Sequence, residues 1–271
     1  MFAANSLLFV PGSRPDRYAK ALAAGAGLTV IDLEDAVAEG DKADARQSAL
    51  EAVGKGFAMR INGVLTDAGK ADLAALAKAD RMPRTLLVPM VESADEIAKV
   101  HRALGTKCPD LIPLIETPRG LRHALEIASA DGVSAVFFGG GDFSAELGVA
   151  LAWEPLLLAR QQLVLACAEA GVPLIDVPFV HLDDEAGLRE ECERARALGF
   201  AGKAAIHPSQ VAVIEEVFTP SDDQRNEAVD ALQAYEDAGR QAVRHKGRML
   251  EEPLVKHYRA VLARCEGSIN A

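Results

Sequence analysis

Short apolar runs alternate with longer amphipathic stretches along almost the whole chain, a rhythm that predicts repeated strand–helix units and a parallel sheet. Eight runs have the length and residue types of strands: Ser6–Val10, Leu28–Leu33, Phe57–Ile61, Thr85–Met90, Leu111–Ile115, Val133–Phe138, Pro173–Val177 and Gly202–Ile206. Most are continuously apolar, as strands covered on both faces should be. Helical spacing of polar residues marks Pro15–Ala26, Asp41–Val53, Ala94–Leu104, Glu185–Leu198 and Asp222–Ala242 between and after them. Gly and Pro punctuate the joins, at Pro11-Gly12, Gly139 to Gly141 and Pro208, and no long Ser/Gly linker marks a boundary.

Eight such units predict a (β/α)₈ TIM barrel, with an open doubly wound sheet as the rival fold. Residues 1–245 are assigned to the barrel as a catalytic domain and 246–271 to a C-terminal helical appendage. Within the appendage, Met249–Gly267 reads as a helix with Pro253 near its first turn.

Composition narrows the function classes. A chain of 271 residues, 49% hydrophobic and 25% charged, can bury a large core as one barrel domain. The formal net charge of −11 argues against a broad nucleic-acid footprint and leaves room only for a local basic pocket. Cys108, Cys167, Cys192 and Cys265 form no Cys-x-x-Cys pair, which suggests reduced thiols in the cytoplasm. The run Ser6–Val10 is too short for a signal-peptide core, and no apolar stretch approaches the ~20 residues of a membrane span.

In such a barrel the chemistry sits at strand C-termini. Those positions hold Arg14, Asp32, Glu34, Asp35, Arg60, Asn62, Glu92, Glu116, Asp142, Asp176 and His207, an acidic rim. Glu116 and Asp142 end consecutive strands about 5 Å apart, so they can share one hard cation such as Mg²⁺, or remain two solvated acids. Gly139-Gly140-Gly141 lets backbone N–H groups close on an anion, or forms a flexible turn. Ser144 stands where a dinucleotide fingerprint needs its last glycine, so NAD is not implied. Arg60, among apolar neighbours, is costly unless paired, either as a clamp on a substrate carboxylate or in an ion pair with Glu34 or Asp35. Arg14, Arg17 and Lys20 could receive phosphates or be solvated helix charges. His207 is assigned no catalytic role, since a lone histidine before a helix-starting proline is as readily structural. Zinc-protease, P-loop and serine-hydrolase motifs are absent from the sequence.

Several segments together carry a family resemblance: Ser6-Leu-Leu-Phe-Val-Pro-Gly-Ser-Arg14, Ile31-Asp-Leu-Glu-Asp35, Arg60-Ile-Asn62, Pro113-Leu-Ile-Glu-Thr-Pro118, Phe138-Gly-Gly-Gly-Asp142 and Ile206-His-Pro208. Over nearly its whole length the chain resembles the citrate lyase beta-subunit-like (CitE-like) family, relatives of malyl-CoA lyases and 2-oxo-acid aldolases. The resemblance implies a homotrimeric TIM barrel with Mg²⁺ on Glu116 and Asp142. It also implies a 2-oxo acid held by Arg60, with Glu116, Gly140 and Gly141 as further substrate-binding candidates, and an acyl-CoA whose phosphates meet basic residues near the first loop, which gives Arg14 and Lys20 a role. The implied reaction is cleavage or formation of a 3-hydroxyacyl-CoA such as citryl-CoA or malyl-CoA, giving an acyl-CoA and a 2-oxo acid like oxaloacetate or glyoxylate. Arg60, Asp35 and Glu251 are the catalytic candidates. Glu251, in Met249-Leu-Glu-Glu-Pro253, stands where relatives carry an Asp that a neighbouring subunit donates as acid/base, and Met90 stands where many relatives carry Lys. An aldolase on free 2-oxo acids and a noncatalytic oxo-acid or CoA binder are the alternatives.

Overall fold

A computed structural model describes residues 4–267. Its parallel strands are β1 (Ser6–Pro11), β2 (Leu28–Asp32), β3 (Phe57–Arg60), β4 (Thr85–Val88), β5 (Asp110–Ile115), β6 (Val136–Phe138), β7 (Leu174–Asp176) and β8 (Gly202–Ala205). They follow one another in sequence order, and β1 pairs with both β2 and β8. The barrel is therefore closed, and the open doubly wound alternative is excluded. All eight fall within or beside the apolar runs named above. β6 is the most shortened, because Val133 makes only an isolated bridge to Leu111 before the strand begins.

The two-residue period of each strand sorts its side chains between two layers. Leu7, Val30, Ala58, Leu114, Ile175 and Ala204 fill the barrel interior. Their neighbours Leu8, Ile31, Met59 and Ala205 face the helices and join the larger outer core. Carried to the strand ends, the alternation puts Asp32, Arg60 and Glu116 above the interior and turns Asp176 and Lys203 toward the helices. Asp176 thus leaves the rim where the strand-end reading placed it: it is fully buried, as is Lys203.

Those two residues belong to a charge network between barrel and helices. Arg160, from the helix Trp153–Ala170, donates from Nε to Asp176 Oδ1 at 3.0 Å. Lys203 Nζ donates to Asp176 Oδ2 at 2.7 Å, to Glu191 Oε1 at 2.7 Å and to the carbonyl of Val177 at 2.6 Å. Burial works against the Asp176 charge, but Lys203 and Arg160 overcome it and hold the carboxyl below its ordinary range.

Three expected helices change at their ends. Pro15–Ala26 becomes a 3₁₀ turn at Pro15–Arg17 and a short helix Tyr18–Leu22, with Gly25 at φ +72° closing the turn. The helix expected over 222–242 stops at Asp237, and Gly239 has φ +67°. Met249 and Leu250 lie in a hairpin of β9 (Val243–His245) and β10 (Arg248–Leu250), so the last helix runs Glu252–Gly267. Leu250 is drawn into a separate apolar cluster with Ala228, Ala231, Tyr235, Val255 and Tyr258, which explains why it leaves the helix. Arg264 ties that last helix to the barrel through the carbonyls of Ala201 and Phe218 at 3.0 and 3.1 Å. Among the described residues no helix is long and apolar enough to cross a membrane.

Removing one member of a buried ion network strands its partners. Lys203→Met is expected to lower unfolding free energy by about 3–5 kcal/mol in urea titrations at neutral pH. A loss under about 1 kcal/mol would show that the network contributes little.

Candidate active site

A cavity of about 470 Å³ opens where the strands end, with Asp32, Asp35, Arg60, Glu116, Gly139, Gly141 and Asp142 in its wall. Phe9, Phe137, Leu151, Val177 and Val180 supply the apolar remainder. This mixture suits a small polar ligand with an apolar side.

Arg60 is the cation of the group. Cα of Asp32 lies opposite Cα of Arg60 in the β2–β3 register, which brings the side chains together above the barrel interior. The guanidinium grips Asp32 on two edges, Nε to Oδ1 and Nη2 to Oδ2, both at 2.7 Å. Nη1 reaches Glu34 Oε2 at 2.7 Å and Asp35 Oδ2 at 3.3 Å. Its carbon also sits 5.2 Å from the centre of the Phe9 ring. Burial opposes the charge, yet Asp32, Glu34 and Asp35 outweigh it and hold Arg60 above its ordinary value. Asp32 is the principal partner, which strand spacing alone did not single out. An arginine has five donors, and the hydrogen bonds to Asp32 and Asp35 use three of them, the Glu34 contact being an ion pair without hydrogen-bond geometry, which leaves one hydrogen on Nη1 and one on Nη2 in the cavity that Arg60 lines.

The loop carrying Glu34 and Asp35 is held from behind. Lys42 Nζ donates to the carbonyls of Leu33 and Glu34 at 3.2 and 3.1 Å and to Asn62 Oδ1 at 2.6 Å. Asn62 in turn donates to Asp72 and is buried, a support for the rim. Burial pushes the Glu34 carboxyl up to about 8; Arg60 opposes the shift, while Glu116, Asp35 and Asp32 add to it.

Glu116 lies across Gly139. A Cβ at Gly139 would fall inside van der Waals contact of Glu116 Cγ and Oε1, so a larger residue fits there only if the Glu116 side chain moves. The backbone N–H of Met90 donates to Glu116 Oε2 at 2.6 Å. Met90 has φ +55°, a conformation that costs a residue with a side chain about 1 kcal/mol and that clusters at functional sites. Burial pushes the Glu116 carboxyl up to about 7; Met90 N–H and Arg60 oppose it, and Asp142 and Asp35 raise it further. Asp142 is raised as well, first by burial and then by Asp35. Two carboxylates that resist ionising together are what a dication relieves.

Asp142 lies in the first turn of the helix Gly140–Leu147. The N–H groups of that turn have no acceptor within the helix and favour an anion at the cavity edge. Gly141 lines the cavity, whereas Gly140 supports it from behind, packed so closely on Phe138 and Val177 that a Cβ would sit 3.2 Å from both.

The remaining candidates lie outside this wall. Arg14 is on the surface in a 2.8 Å ion pair with Asp16. Lys20 lines a neighbouring cavity of about 350 Å³ together with Arg17 and His207, and that cavity shares Phe9, Pro11 and Ile206 with the first. His207 caps the 3₁₀ turn Pro208–Gln210, its Nδ1 accepting from Ser209 N–H. Glu251 is exposed at the start of the last helix and lines neither cavity.

The model of the HpcH/HpaI aldolase/citrate lyase family matches residues 5–208. The chain belongs to this family. A second model, for a C–C bond lyase of the TIM-barrel fold, matches residues 153–266. Among relatives of this family, the L-malyl-CoA/beta-methylmalyl-CoA lyase of Cereibacter sphaeroides is 34% identical over 96% of this chain and 93% of its own. The (3S)-malyl-CoA thioesterase of the same species is 35% identical over 97% of this chain and 94% of its own. The crystal structure of CitE from Mycobacterium tuberculosis in complex with magnesium, acetoacetate and coenzyme A aligns with a TM-score of 0.84. It is 33% identical and covers 97% of this chain and 98% of that one.

Among the described residues no three His, Cys, Asp or Glu side chains converge on a metal site. Glu116 and Asp142, which line one cavity, could hold a hard ion that completes its shell with water and ligand oxygens, the habit of Mg²⁺. Gly139→Ala is expected to displace Glu116 and weaken Mg²⁺ binding at least about tenfold in calorimetry, with the fold retained by circular dichroism. Because an ion needs Glu116 ionised and its carboxyl is pushed up to about 7, Mg²⁺ affinity should fall as pH drops through 7. The expected slope below that point is about tenfold per pH unit for one competing proton, and a flat profile from pH 8 to pH 5.5 would refute the assignment of Glu116 as a ligand.

Proposed function

We propose that the chain is a Mg²⁺-dependent carbon–carbon lyase that splits a 3-hydroxyacyl-CoA into an acyl-CoA and a 2-oxo acid, or joins them in reverse. The observation that carries this reading is the pairing of Glu116 with Asp142 beside Arg60 in one cavity, in a family whose named relatives act on malyl-CoA thioesters. Glu116 and Asp142 hold the ion, which when bound polarises the oxo-acid oxygen and offsets its negative charge. The free N–H groups after Gly139 and the remaining Arg60 donors orient the oxo-acid carboxylate.

In the cleavage direction the 3-hydroxyl proton passes to Asp35 at the cavity wall. The electron pair of the breaking carbon–carbon bond moves onto the thioester carbonyl as an enolate, and the former hydroxyl carbon becomes the ketone of the oxo acid. Glu251 from a neighbouring copy returns a proton to the enolate carbon, which balances the reaction as acyl-CoA plus oxo acid. Glu251 lines neither the main cavity nor the adjoining one of its own chain, and Leu158 and Leu165, 66% and 70% exposed on one helix, suit burial against another copy. Both features support the homotrimer. Lys20 and Arg17 line the adjoining cavity, which supports a role for them in meeting the CoA phosphates.

Thioester hydrolysis is the second reading, favoured by the 35% identity to a malyl-CoA thioesterase. A panel of acyl-CoA and 2-oxo-acid pairs with Mg²⁺, followed by mass spectrometry, separates the two. A lyase joins a pair into the hydroxyacyl-CoA reversibly, a thioesterase leaves the pairs unjoined and releases CoA with free hydroxy acid only when given the hydroxyacyl-CoA such as malyl-CoA, and an aldolase on free oxo acids ignores CoA. Replacement of Glu116 by Gln is expected to lower kcat/KM by about 10²-fold or more. If Glu116→Ala and Asp142→Ala together leave metal-dependent turnover intact, the proposal fails.

A further inference from the structure

The main cavity has two unlike halves. The ends of β2, β3 and β5 and the turn after β6 bring Asp32, Asp35, Arg60, Glu116 and Asp142 to its wall. The ends of β7, β8 and β1 bring Val177, Val180, Ile206 and Phe9, and no charge.

Arg60 is the only cation among the described residues of that wall, and it faces four carboxylates. Most of it is committed: Asp32 takes Nε and one Nη2 hydrogen, and Asp35 takes one hydrogen of Nη1. The two hydrogens left match the two oxygens of one carboxylate, and with the free amides after Gly139 they serve the one beside the ketone. A dication on Glu116 and Asp142 still leaves the wall with one negative charge in excess, to which the bound oxo acid adds its own. The excess sits on Asp35. Asp32 is neutralised on two edges by Arg60, and Glu116 and Asp142 face the ion, whereas Asp35 is 67% exposed and meets Arg60 only at 3.3 Å.

Other basic side chains do not make up the deficit. Arg160 lines a separate pocket of about 200 Å³, is 1% exposed and pairs with Asp176, and its Nη1, buried without a partner, has no surface to offer a ligand. Lys203 is buried in the same network. Arg17 and Lys20 line the adjoining cavity and not this one.

We propose that the site selects 2-oxo acids with a single carboxylate and that Asp35 sets the exclusion of a second. The substrate thioester then carries one free carboxylate, as malyl-CoA does, and not two, as citryl-CoA does. This selection rests on the reading of the main cavity as the oxo-acid site. A second carboxylate has no favourable place there. In the acidic half it is repelled by Asp35, and in the apolar half it gives up water to Phe9 and Val177 with no donor in exchange. A short alkyl group against the same apolar wall gains by leaving water.

The test is calorimetric binding to the full chain in Mg²⁺ of 2-oxobutyrate, of freshly dissolved oxaloacetate and of the 4-methyl ester of oxaloacetate, which is at least the size of the dicarboxylate but lacks its second charge. The native protein should hold 2-oxobutyrate at least about tenfold more tightly than oxaloacetate, with the ester within about threefold of 2-oxobutyrate. Asp35→Asn removes the excess charge with little change of shape and should narrow the gap between oxaloacetate and 2-oxobutyrate at least about threefold. Oxaloacetate bound as tightly as 2-oxobutyrate overturns the proposal. So does an ester as weak as oxaloacetate, since size and not charge would then set the preference, and so does a gap that Asp35→Asn leaves unmoved. If none of the three binds in Mg²⁺, the reading of the main cavity as an oxo-acid site falls, and the selection falls with it.

Discussion

Arg60 holds Asp32 on two edges and reaches Glu34 and Asp35 with its third nitrogen, at the level of the barrel where three strand ends deliver acids into a shared space. Without that guanidinium, Asp32, Glu34, Asp35 and Glu116 would face one another in a half-dry cavity, and several would take up protons. With it, the residual strain falls on Glu34, Glu116 and Asp142, whose carboxyls stay high because burial still outweighs the help Arg60 offers. The cavity is left short of positive charge, which is the condition that lets a dication bind to only two protein ligands.

The geometry around Glu116 shows how backbone and side chain share this task. Gly139 is a glycine because the Glu116 side chain occupies the space of a Cβ, and Met90 adopts a left-handed conformation in which its N–H meets the same carboxylate. The helix that begins at Gly140 then presents Asp142 and its free N–H groups to one opening. Glu116, the helix start with Asp142 and its amides, and Arg60 thus come from the ends of β5, β6 and β3, on one side of the barrel.

A second group of charges stands behind the first and serves a different purpose. Asp176, Lys203, Arg160 and Glu191 tie β7 and β8 to the surrounding helices, and Lys203 also holds the carbonyl of Val177. Val177 is a wall of both the main cavity and the pocket beside Arg160, so the rigidity of that loop is set by buried ion pairs rather than by the apolar core.

The eight strands and their order were legible in the sequence because strands buried on both faces must be continuous apolar runs, a signal that needs no knowledge of neighbours. Glu116, Asp142 and Arg60 were legible for a related reason: a charge at the end of an apolar run is either paired or functional. The same reasoning would have marked Arg160 in Leu156-Leu-Leu-Ala-Arg160 and Lys203 in Gly202-Lys-Ala-Ala-Ile206, which were passed over. Which face each charge takes was not legible, because one residue of register separates Asp176 among the helices from Glu116 above the barrel interior, and only strand pairing sets that register. Nor were the choice of Asp32 as the chief partner of Arg60, the hairpin that claims Met249 and Leu250, or the unpaired Nη1 of Arg160. Each depends on groups far apart in the chain meeting at bonding distance, which chain order alone does not encode and closure of the barrel decides.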